Sequence, residues 1–401
     1  MKKSLVLSAL LLVPNLFAAD RFLSLDTGYR REANSNRAWE NFGSEWVDGH
    51  AWLYDTLHTN KFLNLNPQGE LLAYSLFSLY TMDTYAVAFH EFGHGTRLES
   101  LGYRTRYRSG SDGDTTRSPW LFFLHRFAAR FDDAYAIYST SDRAYTSPVR
   151  KFVNADGTLT NDGDILVNSG GMNNSMRFAG ALSDRLRQEG GHWSESIPYF
   201  ISKLDAAFYP RDVGDLHNLD SFYALKGVRV SETDMRLASV ASFLLSQSTY
   251  AYLVGAQSFV ENGDPRMKAF AWNNLALPDV ENYLTTRGLS WKISSGYRFD
   301  ETIYLPFAIE AVSHGKAKQE YTLGVRKKNW LMSDSVLDAT VTAGSGLEFG
   351  VAYTQKFYKR FAVAVGWDHF NGRNLHGERN AVSYKSGFNS DEVWARLSFV
   401  Y

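Results

Sequence analysis

Two histidines and a glutamate stand together in the segment His90-Glu91-Phe92-Gly93-His94. The two histidines are four residues apart, and residues four apart lie on the same face of a helix. Both imidazoles can therefore point at one zinc ion, while Glu91 sits where a general base could take a proton from a zinc-bound water. The spacing predicts that this segment is a helix that binds zinc, and the residue types predict that the zinc ion activates a water molecule.

This H-E-x-x-H segment resembles the metal-binding helix of the zincin metallopeptidases. The resemblance covers the one helix and, more weakly, residues 169–176. It implies that Zn²⁺ is the cofactor, that His90 and His94 are metal ligands, that Glu91 is catalytic and that the substrate is a protein or peptide. The alternative interpretation is a helix end with two surface histidines and a capping glycine at Gly95.

A catalytic zinc ion usually has three protein ligands and one open position. The chain has no cysteine, so the third ligand must be a histidine or a carboxylate. In thermolysin-like zincins a downstream helix supplies a glutamate, but Asn174 stands at that place here, and a neutral amide is a poor zinc ligand. The third ligand stays open. The candidates are Glu99, His125, Asp132, Asp133 and Asp184. Each of them, taken singly, also fits a surface carboxylate or a helix histidine without a metal.

A second wall of the site is expected from the helix predicted over Met172–Arg187. The glycine pair just before it permits a close approach of two backbones. Asn173 and Asn174 are expected to orient a ligand or to bind the substrate backbone. Arg97, one turn past His94, is a candidate for binding an oxyanion or a substrate carboxylate, with a solvated helix-end cation as the alternative.

Helical periodicity runs through residues 35–284 and predicts a mainly helical, metalloprotease-like domain. The stretches 104–117 and 155–164 are rich in turn residues and are predicted to be loops. The predicted helices are Ala38–Leu57, Gly69–Leu98, Ser118–Tyr138, Met172–Arg187 and Glu232–Val260.

Alternation with a period of two dominates residues 285–401. In residues 337–344 every second residue is apolar, and the residues between them are Asp, Thr, Thr and Gly. Seven such segments place large apolar side chains on one face and small or polar side chains on the other. This pattern is typical of a narrow antiparallel barrel whose outside contacts lipid.

The last strand, Asp391–Tyr401, ends on an aromatic residue. It resembles the C-terminal strand of bacterial outer-membrane β-barrels, although it lacks their usual mid-strand glycine; an edge strand of a soluble sheet is the alternative. Single-chain barrels have even strand numbers. Residues 19–34 offer an eighth strand, which could pair with the last one and close the sheet. The predicted fold class is α+β, a helical metallopeptidase-like domain plus a barrel of about eight strands.

Export is predicted from residues 1–18, which have the features of a secretory signal. Lys2 and Lys3 precede the apolar run Leu5–Val13, and cleavage is expected after Ala18. The net charge of −1 gives no indication of nucleic-acid binding. The expected partners are a peptide substrate and outer-membrane lipid. If the polar segment 371–390 is an outer loop, the helical domain faces the cell exterior; with an eighth strand hidden elsewhere, it would face the periplasm.

Two other functions stay open. A non-enzymatic outer-membrane protein, structural or adhesive, would carry a degenerate site, and Asn174 in place of a glutamate favours it. A site-2-like intramembrane protease would need membrane helices; Leu237–Val260 contains no charge and Leu71–Phe89 contains only Asp83. Serine, threonine and glutamine dilute the first of these stretches, which fits a buried helix better.

Overall fold

The computed structural model describes residues 22–27, 36–108, 115–132, 143–145, 161–357, 361–380 and 389–400. The predicted signal sequence, Tyr401 and the candidate ligand Asp133 lie outside the described residues.

The chain is an α+β protein, with helices in its first two thirds and an antiparallel sheet in its last third. Helices lie at each place where the sequence predicts one, and the predicted helix Glu232–Val260 is two helices separated at Ser246. The helices are α1 Asn36–Thr59, α2 Pro67–Ser100, α3 Pro119–Asp132, α4 Asp162–Glu189, α5 Ser196–Lys203, α6 Asp205–Phe208, α7 Gly214–Leu225, α8 Glu232–Leu245, α9 Gln247–Asn262 and α10 Leu375–Asn380.

Helix α2, which carries the H-E-x-x-H segment, begins at an ordinary capping sequence. The side chain of Asn66 accepts a hydrogen bond from the Gly69 amide at 2.8 Å, and Pro67 occupies the first turn. Helix α2 crosses α4 at Gly93 and Gly170. A Cβ atom at Gly93 would lie 2.1 Å from the Gly170 carbonyl oxygen, so the two backbones touch only because both residues are glycine. The close approach expected from the glycine pair is confirmed.

The helical unit has an apolar, aromatic core. Trp39, Phe42 and Phe92 are buried there, and the Trp39 and Phe92 rings lie with their centroids 4.3 Å apart. Side chains from α1, α2, α3 and α4 meet in this cluster. Burial of such large rings supplies most of the packing that holds the crossing of α2 and α4 in place.

The strands form one large sheet and two small ones. Four strands between residues 266 and 285 have no alternating pattern, because three of them span two residues each and the fourth is buried along its whole length. Apart from Thr285, they lie in the range that the sequence assigns to the helical domain. The strands are β1 Phe22–Asp26, β2 Arg106–Arg108, β3 Thr115–Thr116, β4 Arg143–Tyr145, β5 Gly191–His192, β6 Arg266–Met267, β7 Ala271–Trp272, β8 Leu275–Ala276, β9 Asp279–Thr285, β10 Gly288–Arg298, β11 Ile303–Gly315, β12 Gln319–Lys328, β13 Ser335–Ala343, β14 Leu347–Phe357, β15 Phe361–Asn371 and β16 Asn389–Val400.

The large sheet has eleven strands in the order β1-β16-β15-β14-β13-β12-β11-β10-β8-β7, with β9 also paired to β10. Strand β1 pairs antiparallel with β16, with Phe22 opposite Val400. The prediction that an N-terminal strand pairs with the last strand is therefore confirmed. The described strands do not close into a barrel, because β1 stands at one end of the sheet, β7 and β9 stand at the other, and β1 pairs with neither of them.

The large sheet exposes its apolar face and buries its polar face, which is the reverse of a sheet in a water-soluble protein. On the outer face the side chains are large, apolar and exposed; Leu323 is 68% exposed and Val393 is 79% exposed. On the inner face Glu310, Glu320 and Glu348 are buried. A sheet built for water would bury its apolar face instead.

Polar contacts hold the helices against this inner face. The Arg379 guanidinium of α10 donates to Glu310 at 2.7 Å. Arg187 of α4 donates to Asp279 of β9 at 2.9 Å, and Arg326 of β12 pairs with Glu189. The helical unit and the sheet thus share a charged and hydrogen-bonded interior.

Candidate functional site

His90 and His94 lie side by side on one face of α2, as their spacing predicts. Both side chains are buried, and their ring centroids are 4.9 Å apart. The His90 ring lies directly against α4, where a Cβ atom at Gly171 would be 2.2 Å from His90 Nε2. The second glycine of the pair therefore makes room for an imidazole, and the first makes room for the helix crossing.

Asp215, in the first turn of α7, brings a carboxylate to both imidazoles. Its Oδ2 atom is 3.3 Å from His90 Nε2 and 3.1 Å from His94 Nε2. A tetrahedral zinc site with bonds of about 2.0–2.1 Å has ligand atoms roughly 3.3 Å apart. The two Nε2 atoms and the Asp215 oxygen are therefore of the right type for zinc ligands, and both oxygen–nitrogen distances are close to this spacing.

The other ring nitrogen of each histidine has a partner that fixes its orientation. His90 Nδ1 lies 2.9 Å from Asp205 Oδ2, and His94 Nδ1 lies 2.6 Å from the Val167 carbonyl oxygen. Ser175 donates a hydrogen bond of 2.6 Å to the same Asp205 oxygen. Such outer contacts place the proton of a neutral imidazole on Nδ1, which leaves Nε2 available for a metal.

Tyr209 covers the site beside Asp215. Its hydroxyl donates to Asp215 Oδ2 at 2.8 Å, and its ring stacks on His90 with centroids 5.8 Å apart and planes 13° apart. The tyrosine therefore orients the carboxylate and shields one imidazole from water.

Glu91 is buried next to the two histidines. Its Oε2 atom accepts a hydrogen bond of 2.6 Å from the Ala144 amide of β4. Strand β4 pairs with β2, so part of the stretch 104–117, predicted to be a loop, forms a strand that helps to hold this edge. Donor atoms of Glu91 and both histidines lie within 4.8 Å of one another. Asp215 Oδ2 contacts both Nε2 atoms, so Asp215 is the candidate for a third ligand and Glu91 the candidate for proton transfer.

The charges of this cluster are strongly coupled. Burial alone would lower the pKa of both imidazoles, but the Asp205 and Asp215 carboxylates outweigh it at His90, and Asp215 outweighs it at His94, so both pKa values are raised. Burial alone would raise the pKa of Asp215, but the two imidazoles hold it well below its usual range. Burial raises the pKa of Glu91.

The other predicted ligands lie elsewhere. His125 is exposed on α3, and Asp184 is 47% exposed and pairs with Arg187. Burial raises the pKa of Glu99 to about 7, and the neighbouring Thr105 offsets part of the rise. Among the described residues, none of these three joins the group of donor atoms around the two histidines. The side chain of Asp132 is outside the description.

Asn173 and Asn174 hold the walls of the site together. The Asn174 amide donates to the Phe89 carbonyl at 3.0 Å, one residue before the first histidine. Asn173 donates to the Leu284 carbonyl at 2.8 Å and accepts from the Leu284 amide at 2.9 Å. The two amides join α4 to α2 and to β9, and the Asn174 amide also donates to the side chain of Asn36 at 3.1 Å.

Arg97 is buried on the side of α2 that faces α10. Burial lowers its pKa to about 9, helped by the neighbouring Arg177 and Arg379 and opposed by Glu378. It is therefore not a solvated cation at a helix end.

A second group of possible metal donors lies on the surface. Donor atoms of Asp212, His217 and Glu232 are within 4.8 Å of one another, and the first two residues are exposed. Exposed acidic groups are common without a metal, and the Glu232 carboxylate of this set already pairs with Arg236 at 2.6 Å.

Comparison with protein family models, with curated proteins and with solved structures found no match. The interpretation of the site therefore rests on its own chemistry.

Proposed function

We propose that this chain is a zinc-dependent hydrolase and that its ion is held by His90, His94 and Asp215. The observation that carries the proposal is the convergence of two Nε2 atoms and one carboxylate oxygen at 3.1 and 3.3 Å. Asp205 and the Val167 carbonyl support it, because both orient an imidazole from behind, as the outer partners of metal-binding histidines do.

A bound zinc ion supplies a Lewis acid that polarises a carbonyl group and lowers the pKa of water. The protein's own part is proton transfer by Glu91, which accepts a proton from the attacking water and returns it to the leaving group. The Ala144 amide holds one carboxylate oxygen of Glu91, and the other oxygen is the one that we propose as the base.

Peptide bonds are the proposed substrate. The support is the resemblance of the His90–His94 segment to the zincin metallopeptidases, in which the same three residue types hydrolyse peptides. Asn174 does not argue for a degenerate site, because its amide binds the backbone of α2 and Asp215 supplies the carboxylate that Asn174 lacks.

We also propose that the sheet lies in a bilayer, as a barrel-like wall of the bacterial outer membrane. Strands β10 to β16 have nine to thirteen residues, which suits a membrane about 30 Å thick crossed by tilted strands of about 9–11 residues. Their outer side chains are apolar and their inner ones polar, as a lipid-facing sheet requires.

Hydrolysis of an unfolded, fluorescently labelled protein by the purified full chain tests the enzymatic proposal. We expect activity that is lost on chelation of zinc and recovered on its return. Glu91→Gln should keep its zinc and lose activity by about 10²–10⁴-fold, the usual contribution of a general base. Equal rates for Glu91→Gln and wild type would contradict the role of Glu91. Bound zinc without hydrolysis of any peptide would favour the structural or adhesive alternative.

A further inference from the structure

The outer edge of β9 is covered by side chains from helices. One edge of β9 pairs with β10, and no described strand pairs with the other. The backbone groups of that other edge still have partners. Asn173 of α4 bonds both the amide and the carbonyl of Leu284, and the Ser246 hydroxyl bonds both the amide and the carbonyl of Val280. Helical side chains thus stand where the next strand would be.

Helices α8 and α9 meet β9 through a row of small polar residues. Ser239, Ser242 and Ser248 are fully buried, and the Ser248 hydroxyl donates to Asp279 of β9 at 2.9 Å. The Ser239 hydroxyl donates to the Lys203 carbonyl at 2.8 Å. The serines of residues 237–260, which in the sequence favoured a buried helix over a membrane helix, therefore lie on the inward face of this pair.

The opposite face of the same two helices is apolar and exposed. Leu237 is 61% exposed, in a stretch, 237–260, that contains no charged residue. The exposed apolar residues of the pair include Leu237, Leu244, Leu245, Leu253 and Val254. The pair thus has polar residues inside and apolar residues outside, which is the arrangement of the neighbouring sheet and the reverse of a helix in water.

The break between the two helices is stabilised from inside. Ser246 has an extended backbone, and the Ser248 amide after the break donates to Asp279 Oδ1 at 3.0 Å. Broken helices are tolerated at membrane depth where neighbouring groups satisfy the freed backbone. No single described helix is long and apolar enough to cross a membrane, but α8 and α9, bent by 57°, meet that test together.

We propose that α8 and α9 continue the lipid-facing wall beyond β9, so that bilayer hydrocarbon contacts these two helices as well as the strands. On this side of the sheet, α8 and α9 take the place of a strand that would otherwise continue the wall. This inference rests on the proposed membrane position of the sheet. Helices of 14 and 16 residues, at about 1.5 Å per residue, together exceed the roughly 30 Å of hydrocarbon that the wall must cover.

Spin labels can test this wall, because the chain has no cysteine of its own. Single variants Leu237→Cys and Leu253→Cys report on the helices, and Leu323→Cys reports on the outer face of β12. Ser221→Cys, an exposed position of α7, is the control in water. The full-length protein is labelled, inserted into phosphatidylcholine vesicles and exposed to oxygen, which concentrates in hydrocarbon, and to a polar nickel chelate, which stays in water.

We expect labels at positions 237, 253 and 323 to collide more with oxygen than with the nickel chelate, and the label at 221 to do the opposite. Nickel access at 237 and 253 equal to that at 221, with 323 still protected, would overturn the helical wall and leave the sheet in the membrane. Nickel access at 323 as well would show that the membrane position of the sheet itself is wrong. Because all four replaced residues are exposed, the variants are expected to fold, and retained zinc would check this.

Discussion

The helical unit and the sheet place opposite kinds of residue in their interiors. Trp39, Phe42 and Phe92 fill the core beside the metal site, and the inner face of the sheet buries Glu310 with Arg379. A buried ion pair is stable only when good hydrogen-bond geometry offsets the loss of water around its charges, whereas an aromatic core is stabilised by the removal of apolar surface from water. The difference is what the proposed location requires, with water around much of the helical unit and lipid around the sheet.

The proposed metal site lies where an apolar interior meets a polar one. His90 and His94 lie next to the aromatic core, and Asp205 of α6 and Asp215 of α7 contact them from the other side. Burial makes each charge costly unless it is paired, so the carboxylates and imidazoles hold one another in place. Helices α8 and α9 follow the pattern of the sheet, with a polar face inward.

Asp215→Ala gives the largest expected effect, because it removes a ligand from the polar side of the site and leaves the aromatic core untouched. Zinc affinity should fall by more than the roughly 10–100-fold typical of outer partners, and hydrolysis should fall with it. Zinc titration against a competing chelator measures the change. An affinity equal to that of wild type would show that the third ligand lies elsewhere.

Replacing a leucine with arginine in each of the two regions tests whether water or lipid surrounds it. Leu323→Arg, on the outer face of β12, should destabilise the membrane-inserted protein by about 2–4 kcal/mol if that position is near the bilayer midplane. Leu225→Arg, at an exposed leucine that ends α7, should change stability little, because that side chain is 74% exposed in the helical unit.

Unfolding in lipid vesicles, with Leu323→Ala as a control for lost apolar area, measures both changes. Equal tolerance of arginine at positions 323 and 225 would remove the contrast between the two surfaces.

Asp205→Asn gives a smaller expected effect, because the residue acts through His90. Zinc affinity should fall by about 10–100-fold, the usual loss when an outer partner of a metal-binding histidine is changed. Asp184→Asn is the matched control, since Asp184 is a partly exposed carboxylate that pairs with Arg187. Equal zinc affinity in the two variants would mean that Asp205 does not orient the ring.

Local patterns in the sequence predict much of this molecule. The four-residue spacing places His90 and His94 on one helix face, and the period-two alternation gives the strands and the polarity of their faces. Alternation near the N-terminus also predicts β1. Each of these signals depends on residues that are neighbours along the chain, whereas the pairing of β1 with β16 is expected from the even strand number of barrels.

The third ligand and the edge of the sheet depend on contacts between distant segments. Asp215 looks like any acidic residue in the first turn of a helix, where it is favoured whether or not a metal is present. Strand β9 is buried over its full length and has no alternation to detect. Asn174 falls where a glutamate is expected by analogy, but its amide bonds α2. Only the packing of α4 against α2 and of α7 against α4 distinguishes these roles.

Bound zinc in the purified full-length protein tests the central claim most directly. Metal content is measured for wild type, for His94→Ala and for His217→Ala, whose imidazole belongs to the exposed second group of donors. We predict about one zinc ion per chain in wild type and in His217→Ala, and none in His94→Ala. A folded wild-type protein that takes up no zinc, or zinc that survives His94→Ala, would contradict the assignment of this site.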